Sequence, residues 1–128
     1  MLGYVLIGVN DLERATEFYD GLLGVVGGQR IFELARGFMY GWGPDKPMIG
    51  ITRPLDGKPA TVGNGSMVSL AAGSRDQVKA VYDKALAIGG TDEGAPGLRG
   101  EEGEHAFYAA YFRDPDGNKL CAFHIGPA

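Results

Sequence analysis

Apolar and polar positions follow two rhythms along this chain, and the pair of rhythms occurs twice. Leu2 to Val9 is an apolar, β-prone run that gives way at once to Asn10-Asp11-Leu12-Glu13. Asn10 is placed to cap a helix, with Glu13 three residues on able to reach back to the cap. Leu12, Ala15, Tyr19, Leu22 and Leu23 then recur at helical spacing, and the pattern stops in the glycines between Gly24 and Gly28. Gln29–Leu34, Gly37–Trp42 and Pro47–Thr52 are short apolar stretches separated by Gly, Pro and Asp, and they predict three strands.

The second half repeats this order. Ser66–Ala72 predicts a strand, and Ser74 with Gln77 three residues later predicts a capped helix. Val78, Val81, Tyr82, Ala85 and Leu86 are its expected buried stripe, and Gly89-Gly90 ends it. A weak strand near Thr91, a loop from Pro96 to Glu104, and clear strands at Ala106–Arg113 and Lys119–Ile125 follow. Asp114-Pro115-Asp116-Gly117-Asn118 is the turn between the last two, with Pro fixing one φ and Gly free to take a positive one.

The repeat extends to the letters. Tyr19-Asp20-x-x-Leu23 matches Tyr82-Asp83-x-x-Leu86, and Gly43-Pro44-Asp45 echoes Asp114-Pro115-Asp116 ahead of the last strand of each half. The expected architecture is α+β: two βαβββ modules, 1–54 and 66–128, joined by a linker at 55–65 within one domain.

Composition narrows the function. The chain has 128 residues, 22 of them glycine, which fits many turns between short strands. Its net charge is −4, and its 12 basic residues are scattered. That argues against nucleic-acid partners, which need a basic face to meet phosphates. No apolar run is long enough to span a bilayer, and neither helix has the basic face of a membrane-surface helix. The apolar start is cut short at Asn10-Asp11 and has no basic segment, unlike a secretory signal. The single cysteine, Cys121, has no internal partner, which suits a reducing, cytoplasmic setting.

Val9-Asn10-Asp11-Leu12-Glu13-Arg14-Ala15-Thr16-Glu17-Phe18-Tyr19 resembles the first strand-to-helix junction of the vicinal oxygen chelate superfamily, which holds glyoxalase I, extradiol dioxygenases, and bleomycin- and fosfomycin-resistance proteins. The stretch from Phe107 to Lys119, with its Asp-Pro-Asp-Gly-Asn turn, resembles the last hairpin of that superfamily. The resemblance covers both modules and is specific for the fold, not for an activity. It implies a curved, incompletely closed mixed sheet barrel with helices outside, a cavity on the concave face, and a homodimer. In metal-dependent members it implies one divalent ion, held by His and Glu or Gln from the first and last strand of each module and acting as a Lewis acid.

Carried onto this sequence, the four ligand positions hold Tyr4, Gly50, Met67 and Cys121. A hard divalent ion needs oxygen or imidazole donors, and this set supplies no matching combination. The only histidines, His105 and His124, lie far from both first strands. The expected cofactor is therefore none, with divalent metal absent.

Strand alternation places Phe107, Tyr111, Cys121 and Phe123 on the concave face with Tyr4 and Met67, and turns Tyr108, Ala110, Phe112, Leu120 and Ala122 toward the helices. These six concave residues are the candidate ligand-binding set. The surface is aromatic and apolar and suits a flat or apolar small molecule. His105, where the acidic loop enters a strand, is the candidate catalytic residue. The reading that fits best is a glyoxalase/bleomycin-resistance-like, metal-free small-molecule binding protein. A metal-independent isomerase or lyase using His105 or Tyr side chains is one alternative. A divalent-metal-dependent glyoxalase/dioxygenase-type enzyme with non-standard ligands is another, and an interaction module with a filled cavity is a third.

Overall fold

A computed structural model describes all 128 residues. Along the chain run β1 (Tyr4–Gly8), α1 (Leu12–Val25), β2 (Gln29–Leu34), β3 (Gly37–Gly41), β4 (Met48–Thr52), β5 (Val68–Ala71), α2 (Arg75–Ala87), β6 (Thr91–Arg99), β7 (Phe107–Arg113) and β8 (Lys119–Ile125). The strands form two four-stranded mixed sheets, ordered β1-β4-β3-β2 and β5-β8-β7-β6. In each, the first strand pairs parallel with the last, and the other pairings are antiparallel. The two halves thus share one topology, as the repeated pattern predicts. No backbone ladder joins the sheets, so the barrel is not closed.

The helices start where side chains satisfy free N–H groups. Ser74 caps α2 by accepting from Gln77 N at 3.1 Å, and the Gln77 side chain accepts from Gly73 N at 2.6 Å. In α1 the cap is Asp11, which accepts from Arg14 N at 3.1 Å, not the expected Asn10. Asn10 is engaged elsewhere. Its Oδ1 accepts from Ala60 N at 2.6 Å and its Nδ2 donates to Ala60 O, so it pins the linker against the end of β1.

Both helices bury their apolar stripes in one core that runs through both halves. Phe18, Tyr19, Leu22 and Leu23 of α1 and Val78, Val81 and Ala85 of α2 are fully buried, and Tyr108, Ala110, Phe112, Leu120 and Ala122 meet them from the second sheet. Leu86 departs from expectation: it is 38% exposed. One position beyond Ala85 on a helix is a rotation of about 100°, which carries it past the stripe.

The segment expected to loop from Pro96 instead continues β6 to Arg99. The register against β7 shifts on both sides of Gly94. β6 is the outer strand of its sheet, so Pro96, which has no N–H, is tolerated there.

The Asp114–Asn118 turn ties the halves together. Asp114 is 2% exposed, and its Oδ1 accepts from Asp116 N and Asn118 N, each at 2.9 Å. Its Oδ2 accepts from the Tyr19 hydroxyl at 2.6 Å and from Asn118 Nδ2 at 2.9 Å. Asn118 Nδ2 also donates to Gly8 O on β1. A turn of the second module is thereby locked onto the first helix and first strand. No helix is long and apolar enough to cross a membrane.

Candidate functional site

The face of the second sheet turned away from the helices carries most of the expected site. Tyr111 stands opposite Cys121 across the β7–β8 ladder, and Ser69 of β5 is the Cys121 partner on the other side. One pleat along, Phe107 and Phe123 stack with ring centroids 5.6 Å apart and planes 22° from parallel. These four predicted residues form one contiguous group. Met67, just before β5, sits at the seam between the sheets, where it lines two cavities. Tyr4 stands on the separate first sheet, opposite Met48, and is 55% exposed.

Two cations complete this face. The Arg99 guanidinium carbon and the Lys119 Nζ each lie 5.5 Å from the centroid of the Tyr111 ring. Sequence reasoning missed both. Lys119 alternates with Cys121 and Phe123 along β8, so the two-residue strand period was a usable signal. Arg99 has none, because Pro96 and the glycines around it read as loop.

Cys121 is 1% exposed. Burial pushes its thiol pKa up, while the neighbouring Ser69 and Tyr111 hydroxyls and the charges of Arg99 and Lys119 pull it down less strongly. The group is therefore a neutral thiol at neutral pH and a poor nucleophile. His105 is exposed in the turn before β7 and makes no hydrogen bond. His124 Nδ1 lies 3.2 Å from Ala72 O, on the opposite side of β8 from Cys121.

The corresponding face of the first sheet is bare and apolar. Tyr4 and Leu6 of β1 and Ile31 and Phe32 at the β2 bulge are between 44% and 55% exposed. Leu6 lies over the backbone of Gly50: a Cβ there would stand 2.5 Å from Leu6 Cδ2. Between β1 and β5 the seam opens a cavity of about 470 Å³, lined mainly by apolar side chains that include Val5, Trp42, Met48, Met67 and Leu70. Trp42 is held by donating from Nε1 to Val26 O at 3.0 Å.

The donor set does not fit a chelated divalent ion. The strand positions in question carry a phenol, a bare glycine, a thioether and a buried thiol. Nowhere in the chain do three His, Cys, Asp or Glu side chains converge.

Two βαβββ modules of identical strand order, with both helices packed on one side of the sheets, define the class of paired-module α+β proteins. Residues 1–122 match the sequence profile of the glyoxalase/bleomycin resistance protein/dioxygenase superfamily, and the chain belongs to that family. It is similar to a glyoxalase/bleomycin resistance protein from Albidiferax ferrireducens, with 44% identity and a TM-score of 0.85 over 97% of this chain and 98% of that one. A lactoylglutathione lyase from Agrobacterium tumefaciens shares the fold at 17% identity and a TM-score of 0.66, covering 97% and 92% of the two chains. A glyoxalase/bleomycin resistance protein/dioxygenase family enzyme from Burkholderia phytofirmans does so at 19% and 0.69, covering 96% and 97%. No curated protein matches the sequence.

Proposed function

We propose that the chain is a metal-independent small-molecule binding protein of this family, working as a homodimer in the cytoplasm. The observation that carries the reading is the contrast on the concave faces. Where a chelated ion would need hard donors stand Tyr4, Gly50, Met67 and Cys121, while the second-sheet face around Cys121 offers a stacked aromatic pair and a phenol. Aromatic faces hold flat ligands by stacking and area burial. The His105 acid–base alternative gains no support, because that side chain is exposed and has no partner to orient it.

Elemental analysis of untagged protein, purified without chelator, tests the metal-independent part. Less than about 0.1 equivalent of divalent ion in fully folded protein is the expected result. A stoichiometric ion would overturn the proposal and favour an enzyme with an unusual ligand set. A thermal-shift screen of aromatic and apolar small molecules tests the binding part, since a ligand at a hundred times its Kd raises stability by about 2.7 kcal/mol.

The dimer reading is supported by the bare first-sheet face. Tyr4, Leu6, Ile31 and Phe32 form an exposed apolar surface of the kind a second copy covers. The protein is expected to sediment at twice its 13.6 kDa chain mass. Leu6→Glu, which buries a charge in the contact, is expected to return it to a monomer. A wild-type monomer in sedimentation velocity would refute the dimer.

A further inference from the structure

In a chain of net charge −4, the second-sheet face carries an unneutralised positive pair. Neither Arg99 nor Lys119 takes part in any ion pair of the structure. The two acidic residues of β6 are already engaged. Glu93 is bound by Arg113, and Asp92 accepts from the Tyr82 hydroxyl. The Arg99 guanidinium is held in place: its Nη2 donates to Ala95 O at 2.8 Å, folding it back along β6 toward Tyr111. Gly94 and Gly97 make room for it, since a Cβ at Gly97 would stand 2.9 Å from Nη1 and one at Gly94 3.3 Å from Nη2. Only one of the five guanidinium N–H donors makes a hydrogen bond in the structure.

We propose that this face binds a small organic anion with a flat apolar body, an aromatic carboxylate, with its negative end at Arg99 and Lys119 and its body against Phe107 and Phe123. The proposal rests on the reading of this face as a ligand site and adds the sign of the ligand's charge. Both cations lie by the Tyr111 ring, and the stacked pair Phe107 and Phe123 stands on the same face, two pleats from Tyr111 along β7 and one pleat from Cys121 along β8. The Tyr111 hydroxyl is a further donor beside the two cations, and Ser69 stands next to Cys121 on the other side of β8. A guanidinium meets a carboxylate with paired N–H groups, and Lys119 adds a point charge. A cationic ligand would meet like charge at the same place.

The test uses three matched probes on the full chain: 2-naphthoate, the neutral 2-naphthylmethanol and the cationic 2-naphthylmethylammonium. Binding is followed by backbone amide chemical shifts and by calorimetry. The expected result is that 2-naphthoate shifts the resonances of residues 109–111 and 119–123 and binds at least about tenfold more tightly than the alcohol. The ammonium probe binds most weakly. In the double variant R99Q/K119Q, naphthoate loses its preference and binds no more tightly than the alcohol binds the same variant. The comparison among probes in the unaltered protein does not depend on that variant. Equal binding of naphthoate and alcohol at this face would overturn the anion inference and leave the ligand site standing. Failure of all three probes to shift these resonances would overturn both.

Discussion

Asp114→Ala is expected to lower folding stability by on the order of 4 kcal/mol, because four donors converge on one buried carboxylate. The alanine leaves the Tyr19 hydroxyl without its acceptor at a site where Tyr19 is wholly buried. It also frees the turn that fixes the β7–β8 hairpin and loosens the Asn118 contact to Gly8. Chemical denaturation reads the loss directly. A change under about 1 kcal/mol would show that water or a rearranged turn replaces the network.

Tyr19→Phe removes one arm of the same network and is expected to cost about 1–2 kcal/mol at neutral pH. It also carries a pH signature. Burial, and next the adjacent Asp114 carboxylate, raise the Tyr19 pKa well above the ordinary phenol value. An unfolded tyrosine titrates near pH 10, at about its model-peptide value. The raised folded value means that the contribution is fully present below that pH and is lost as pH rises above it. Urea midpoints followed from pH 8 to beyond pH 10 should fall less steeply in Tyr19→Phe than in the wild type. Parallel curves would show that this phenol is not held neutral by the fold. Tyr40 is raised in the same direction, by burial and then by its hydrogen bond to Asp20, and contributes to the remaining slope.

Gly37→Ala is the second large effect, with an expected loss of about 3 kcal/mol or more. Gly37 opens β3 opposite Thr52, and a Cβ there would stand 1.9 Å from Ile51 O and 2.8 Å from Thr52 Cα. Both obstacles are backbone, so no side chain can swing aside. The β3–β4 ladder has to separate at its end, and β4 is the strand that pairs with β1. Gly24→Ala is the matched control. It lies in α1 with nothing within 4 Å of its would-be Cβ, and alanine there is expected to stabilise by up to about 1 kcal/mol. Opposite signs for the two substitutions in thermal melts are the expected outcome. A neutral Gly37→Ala would mean that the two strands part there without cost.

The sequence by itself determined the paired architecture. Strand and helix periods are local properties, so Leu2–Val9, the α1 stripe and the Asp114–Asn118 turn were legible without any tertiary knowledge. Alternation along β7 and β8 was enough to separate Phe107, Tyr111, Cys121 and Phe123 from the core-facing Tyr108, Phe112 and Leu120, because a strand's period of two is fixed by backbone geometry. What escaped depended on contacts between distant residues. Asn10 and Asp11 are both good caps, and only the arrival of Ala60 decided which one served the helix. Pro96 and two glycines look like loop in isolation, and only β7 alongside made Thr91–Arg99 a strand. That pairing in turn brought Arg99 to Tyr111. Strand count groups Tyr4 and Met67 with the β7–β8 residues, but a count along the chain does not say how two sheets with no ladder between them are set against each other. Only the tertiary structure placed Met67 at the seam and Tyr4 on the other sheet, since that arrangement is made by side-chain packing in the shared core and not by any local pattern.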